Sequence, residues 1–164
     1  MEHIIKEITK ENLKQALVLV NEVFSEFVAV DYSEQGRNTF EEYLKTKYDE
    51  VMSDLQTGNK KIWACFQNDE IIGVIATRDK THIALMFVGK RYHRKGIARQ
   101  MFQTVLNEVR RQQPNAAQIT VNSSPFAVPV YERLGFVQTA EQQEKDGIIF
   151  VPMCYNLLKD TCSC

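Results

Sequence analysis

From position 90 to 99 the chain reads Lys-Arg-Tyr-His-Arg-Lys-Gly-Ile-Ala-Arg, so Lys90, Arg91, His93, Arg94 and Lys95 crowd ahead of Gly96 and Ala98. Cationic side chains beside small residues suit the holding of an anion. Glycine lets a ligand lie close against the main chain. If a helix opens at Gly96, the unpaired N–H groups of its first turn and the positive end of its dipole point at the same place. A phosphate group is the natural occupant. The spacing excludes two common phosphate loops. Gly89 and Gly96 are seven apart and Ile97 follows the second, which fits neither G-x-x-x-x-G-K-[ST] nor G-x-G-x-x-G.

Two elements must position this loop. Before it, Ile83 to Val88 is a short apolar run with the length of a buried strand. After it, Ile97, Ala98, Met101, Phe102, Val105, Leu106 and Val109 recur at the spacing of one helical face. The loop is therefore a strand-to-helix turn.

The rest of the chain supplies a surrounding framework. Residues 2 to 8 read as a strand, and Thr9 as the N-cap of a helix with Leu13, Ala16, Leu17, Val20, Phe24 and Phe27 on one face. A ten-residue connection over 29 to 38 leads to a second helix, with Phe40, Tyr43, Leu44, Tyr48, Val51, Met52 and Leu55 on its apolar face. Strands over about 60 to 67 and 70 to 78 form a hairpin turned at Asn68-Asp69, and Gly73 marks a bulge or a close backbone approach. Asp79-Lys80 turns the chain into the central strand. Beyond the long helix, Pro114-Asn115 breaks the pattern and residues 118 to 121 read as another buried strand. Ser123 or Ser124 caps a short helix that Gly135 ends, with Pro129 forcing a kink or a late start. Two closing strands, near 136 to 142 and 147 to 157, turn at Lys145-Asp146-Gly147.

A chain of 164 residues with 44% hydrophobic and 25% charged residues suits one globular domain, read as 1–158, with a tail at 159–164. No run has the apolar length of a membrane span, and the first residues lack the apolar stretch of a signal peptide, so a cytoplasmic location is expected. Cys65 and Cys154 fall in apolar runs and read as reduced core residues; the Cys162 and Cys164 tail has no partner pair for a zinc site, so no metal is expected. The net charge of −1 conceals an asymmetry. Residues 1 to 59 carry 12 acidic and 6 basic side chains, whereas residues 80 to 111 carry 8 basic and 1 acidic. A polyphosphate on the basic segment and a cationic partner near the acidic one fit this split, as does simple attraction between the two segments.

The loop H-R-K-G-I-A resembles the [QR]-x-x-G-x-[GA] loop of the GNAT superfamily of acetyl-coenzyme A-dependent N-acetyltransferases, with His93 standing at the Gln/Arg position. A second segment, VNSSPFAVPVYERLGF, is similar to that family's next motif, in which a strand ends near an Asn, a short helix carries a Tyr, and Leu-Gly-Phe closes it. Here these are Asn122, Tyr131 and Leu134-Gly135-Phe136. The order β-α-α-β-β-β-α-β-α-β-β also matches along most of the chain. The resemblance implies an α/β (α+β) fold in which a mixed sheet, with helices on both faces, splays open between the strand at 83–88 and the strand at 118–121. It implies acetyl-coenzyme A in that opening, its pantetheine against Met86, Phe87 and Val88. The pyrophosphate would rest on the loop formed by His93, Arg94, Lys95, Gly96, Ile97, Ala98 and Arg99, with Asn122 nearby. Pantetheine carries amide groups, for which an unpaired strand edge is a fitting partner.

The implied chemistry is direct attack of a neutral small-molecule or peptide amine on the thioester, with backbone N–H groups near Phe87 and Val88 stabilising the oxyanion. By the same resemblance Tyr131 donates a proton to the departing thiolate. With reference pKa values of ~10 for the phenol and ~8.5 for the thiol, that transfer is uphill by about 2 kcal/mol before the site adjusts either group. An alkylamine of pKa ~10.4 is neutral about once in 10³ at pH 7, so its deprotonation costs roughly 4 to 5 kcal/mol. Glu22, Glu26, Asp31, Glu34 and His82 all qualify as the base, and the sequence does not choose among them. Two other readings stand beside this one: an acyl-coenzyme A sensor without turnover, and a nucleic-acid-binding module using Lys90 to Arg99. The second is weakened by a pI near 6.3 and by the lack of interleaved aromatics apart from Tyr92. A homodimer through the sheet edges or the closing strands is compatible with the pattern.

Overall fold

The computed structural model describes residues 2–46, 50, 53–54 and 57–158. In chain order the elements are β1 (Ile4–Glu7), α1 (Lys10–Val23), α2 (Glu34–Thr46), β2 (Lys60–Gln67), β3 (Glu70–Arg78), β4 (His82–Val88), α3 (Ile97–Gln112), β5 (Gln118–Ser123), α4 (Val128–Leu134), β6 (Val137–Gln138), β7 (Gln143–Lys145) and β8 (Ile148–Asn156). Tyr48, Val51, Met52, Leu55, the side chain of Leu44 and the tail with Cys162 and Cys164 lie outside the described residues.

The strands form one mixed sheet in the order β1-β2-β3-β4-β5-β8-β6, with β7 added to β8. Only β4 and β5 run parallel; the other paired neighbours are antiparallel. Parallel neighbours need a crossover, and α3 supplies it. Helices cover both faces. On one, Leu13, Ala16 and Val20 of α1 meet Ile62, Ala64, Val74 and Ala76. On the other, Ile97, Met101, Phe102, Val105, Leu106 and Val109 of α3 and Tyr131 of α4 meet Cys65, Ile72, Ile75 and Ile83. The alternation of β2 and β3 between the two faces makes both strands apolar almost throughout.

Local chemistry explains most turns. Asn68 (φ 49°) and Asp69 (φ 66°), and Asp146 (φ 53°) and Gly147 (φ 79°), form two-residue hairpin turns that need the left-handed region at both central positions. Gly73 marks a bulge, and what approaches it closely is side chain from α3, not backbone. Pairing shifts beside it, between Cys65 and Phe66, and a Cβ on it would lie 3.0 Å from Met101 Sδ. Pro129 falls at the first turn of α4, after a 3-10 turn at Pro125–Ala127 in which Ser124 Oγ accepts the Ala127 N–H at 3.3 Å, so the helix starts late as Pro requires.

Two expectations are corrected. The connection over 29 to 38 is not a loop. α1 runs on through a π turn (Phe24–Val28) and a 3-10 turn (Ala29–Asp31), and α2 begins at Glu34. Ser33 opens α2, its Oγ accepting the Gly36 N–H at 3.1 Å. Gly36, which falls within that expected connection, is a buried helical residue with no room for a side chain. Of the closing strand expected near 136 to 142 only β6 is strand, followed by a Thr139 N–H bond to the Pro152 carbonyl at 2.9 Å, and the short β7 comes after it at Gln143–Lys145. Thr9 does stand at the N-cap of α1, although its side chain makes no capping bond.

Candidate functional site

The site begins where pairing stops. β4 and β5 are joined at His82↔Thr120 and Ile83↔Val121 and no further. Beyond that point β4 continues against β3 as far as Val88↔Gly73, while β5 continues against β8 as far as Ser123↔Val151. The sheet thus divides into a β4 arm (β1 to β4) and a β5 arm (β5 to β8) with a wedge between them. Ala84 is the extra residue of a bulge, since Leu85 pairs with Ala76 and Ile83 with Thr77. A bulge bends and re-aims a strand, and this one sits at the vertex. Met86 and Val88 pack towards α3 and α4, whereas Leu85 and Phe87 pack towards α1 and α2. Along Leu85 to Val88 the backbone edge facing the wedge has no strand partner.

The open edge leads straight into the basic loop. The Gly89 N–H donates to the Ile72 carbonyl at 2.9 Å and Tyr92 N–H to the Gly89 carbonyl at 2.8 Å, which anchors the loop's start. His93 Nε2 donates to the Val88 carbonyl at 2.7 Å, so the ring carries its proton on that nitrogen and braces the end of β4. Arg94 (φ 61°) and Gly96 (φ 79°) then take left-handed conformations and α3 begins. The first helical bond is Gln100 N–H to the Gly96 carbonyl at 3.1 Å, which leaves the Ile97, Ala98 and Arg99 amides without an acceptor in the helix. A Cβ on Gly96 would meet nothing within 4 Å. Space and donors for an anion coincide there.

The side chains around that turn divide by role. Arg94 and Lys95 are exposed, and Lys95 lies over the Tyr92 ring at 5.6 Å. The Ile97 side chain is buried in the core, which leaves its amide for a ligand. Arg99 Nη2 donates to the Arg133 carbonyl at 2.9 Å and ties α3 to the end of α4. Lys90 pairs with Glu26 at 2.5 Å, so some of the attraction between the basic and acidic segments is spent within the chain. Asn122, one residue past the last β4–β5 pair, is exposed on β5.

Tyr131 is buried on the inner face of α4, its ring edge-on to Phe136 at 5.2 Å. Burial pushes its phenol well above the usual range, so it holds its proton. Among the described residues no group hydrogen-bonds its hydroxyl. Yet His3 Nδ1 is the sole fully buried side-chain polar atom left without a partner there. The Tyr131 hydroxyl is therefore not fully sealed from the surface, although the residue is only 4% exposed.

The candidate bases differ in surroundings. Glu22, Asp31 and Glu34 are exposed, and Glu26 is held by Lys90. His82 is half-buried with Nδ1 2.8 Å from Thr120 Oγ1; burial, then Arg78, lower its pKa against a smaller opposing effect of Asp79. Tyr32, whose ring meets Phe24 edge-on at 5.3 Å, is pushed up to about 12 by burial and by Asp31. No cluster of metal ligands occurs among the described residues. A cavity of about 150 Å³ between Trp63, Thr77 and the far end of α3 contains none of these residues.

Sequence reasoning missed the aromatic wall beside Phe87, made of Phe24, Phe27, Tyr32 and Phe40. It also missed the contact of Gly36 with Gly147. Phe24, Phe27 and Phe40 lie on helical faces that the sequence showed, but their meeting with Tyr32 and Phe87 depends on how α1 and α2 pack. The one available signal was Gly36 itself, since an isolated glycine inside a helical pattern often has a packing reason.

A family model described as an acetyltransferase (GNAT) domain matches residues 28–157. A curated relative, the uncharacterized N-acetyltransferase YafP of Escherichia coli K12, is 27% identical over 112 residues; the match spans 68% of this chain and 65% of that protein, less than two thirds of its length. Among solved structures, the PaiA N-acetyltransferase of Thermoplasma acidophilum in complex with coenzyme A superimposes with a TM-score of 0.77 at 15% identity, covering 95% of this chain and 99% of that one. A GCN5-related N-acetyltransferase from Rhodopseudomonas palustris gives the same score and identity over 96% and 97%. At such identities the structural likeness speaks to the fold.

Proposed function

The chain belongs to the GNAT acetyltransferase family, and on that premise we propose that it moves an acetyl group from acetyl-coenzyme A to a primary amine by direct attack in a ternary complex. One observation carries the reading: the unpaired edge of β4 leads, through a braced loop, into a helix N-terminus that nothing covers. Those are two main-chain binding surfaces in series, one suited to amides and one to phosphates. Met86, Phe87 and Val88 would hold the pantetheine. The amides of Ile97, Ala98 and Arg99, with Arg94 and Lys95 beside them, would hold the pyrophosphate. His93 fixes where the strand ends and the loop starts, and Asn122 lies on the opposite edge of the wedge.

Acetyl-coenzyme A supplies an acyl group activated as a thioester. Backbone N–H groups near Phe87 and Val88 favour charge developing on the carbonyl oxygen. Tyr131 keeps a proton at its Oη for the departing sulfur. Its burial makes that proton harder to give up, and burial of a thiolate works the other way, so the match is decided by the filled site. His82 stays neutral near neutral pH and stands at the wedge's vertex, which suits a proton acceptor, directly or through water. Reduced Cys65 and Cys154 agree with a cytoplasmic location.

Calorimetry with coenzyme A, followed by release of free thiol from acetyl-coenzyme A in the presence of a panel of amines, tests the reading. Binding and amine-dependent thiol release are expected. Binding without turnover on any amine leaves the sensor alternative, and absence of binding removes both.

A further inference from the structure

Two contacts cross the wedge on the side of α1 and α2, the first of them beside His93 of the basic loop. The first is aromatic. Phe27 follows α1 on the β4 arm, its ring 5.0 Å from that of His93. On its other side it stacks on Phe126, from the turn after β5, with centroids 5.1 Å apart and planes 29° from parallel. The second is a backbone clasp. α2 rests on the β4 arm through Phe40, whose ring lies 6.5 Å from Phe87, yet its first turn sits on the β7–β8 turn of the other arm. A Cβ on Gly36 would lie 2.1 Å from the Gly147 carbonyl oxygen, and one on Gly147 would lie 2.3 Å from the Gly36 nitrogen. Ser33 Oγ donates to the Gly147 carbonyl at 3.5 Å and Thr39 Oγ1 to the Asp146 carbonyl at 3.2 Å.

These bridges set the size of what can reach the vertex from this face. An extended peptide needs roughly 4.7 Å for its backbone alone and about twice that with side chains. Rings stacked at 5.1 Å leave no gap, and the clasp leaves none either. A peptide laid across the wedge would have to open either the stack or the clasp. A compact molecule needs only the space between. The bridge itself is apolar and open to solvent, since Phe126 is 43% exposed where it stacks on Phe27. We propose that the acceptor is a small primary amine on an apolar body, selected by the Phe27–Phe126 bridge and the Gly36–Gly147 clasp, and not a peptide or protein lysine. This rests on the acetyl-transfer reading above.

The test compares 2-phenylethylamine, spermidine and an unstructured decapeptide with one lysine and a blocked N-terminus, using thiol release by the full-length protein, after coenzyme A binding has been measured. Wild type should favour phenylethylamine over the peptide by at least about 100-fold in kcat/KM. Phe126→Ala removes one bridge at an exposed ring and should raise the phenylethylamine KM by up to about tenfold, with kcat within about threefold, while peptide turnover rises. Gly36→Ala opens the other bridge and should act in the same direction; if it does not fold, Phe126→Ala decides. Equal or better use of the peptide by wild type overturns the inference, as does preference for spermidine. So does coenzyme A binding with turnover of none of the three. Failure to bind coenzyme A overturns the acetyl-transfer reading as well, which keeps the two failures apart.

Discussion

The two sides of the wedge are built from different materials. On the proposed reading, the donor side is main chain: an unpaired strand edge, a left-handed Gly96 and free amides at the start of α3. The acceptor side is side chain and tight packing: Phe24, Phe27, Tyr32, Phe40 and Phe87, closed by two glycines in contact. The glycines make the contrast sharp. At Gly96 a Cβ would meet empty space, whereas at Gly36 and Gly147 it would meet backbone. One glycine leaves room for a ligand, and the other two leave room for each other. A side that reads a constant feature, amides and phosphates, needs only backbone geometry. A side that chooses among amines needs shaped surfaces.

Tyr131, buried on the inner face of α4, is the proposed proton donor, and its removal should have the largest effect. Tyr131→Phe keeps the ring and its contact with Phe136, so coenzyme A affinity and melting temperature should hold while kcat falls by ~10²–10⁴-fold. Unchanged turnover on a true acceptor would make Tyr131 a packing residue and leave the reaction without this acid. Gly96→Val attacks the donor side alone. Valine at φ 79° is strained, and its branches would enter the anion's space, so coenzyme A affinity measured by calorimetry should drop by at least about 100-fold with the fold retained. Normal affinity in the folded variant would end the case for the cradle.

Gly147→Ala attacks the acceptor side. A positive φ and a Cβ against Gly36 should cost about 2 to 4 kcal/mol, seen as a lower melting temperature, with coenzyme A affinity nearly unchanged. If affinity fell as far as in Gly96→Val, the two sides would not be separable. The smallest effect concerns the vertex. His82 has a folded pKa below its unfolded value, so the unfolded chain takes up a proton that the folded one refuses. Stability from this group is full above about pH 6.5 and is lost as pH falls below it. Melting curves between about pH 7.5 and 5.5 should show a steeper loss for wild type than for His82→Gln.

Much of this was legible in the residues. The Ile97 to Val109 stripe placed α3, and Asn68-Asp69, Asp79-Lys80 and Asp146-Gly147 placed their turns, because helix periodicity and left-handed backbone are local properties. Gly96 marked the strand-to-helix turn for the same reason, and the consecutive amides that follow it are what the proposed phosphate cradle would use. Other features required the folded chain. Where β4 and β5 separate depends on a bulge at Ala84 and on which strands find partners, and neither is written in one segment. Gly36 fell within an expected connection, and only in the fold does Gly147, 111 positions away, lie against it. The stack of Phe27 on Phe126 joins residues 99 positions apart. The sequence alone determined most of the elements and the basic strand-to-helix turn, since short-range sterics and periodicity fix them. Only the tertiary structure decided the shape of the acceptor side, since side chains far apart in the chain become neighbours through the packing of whole elements.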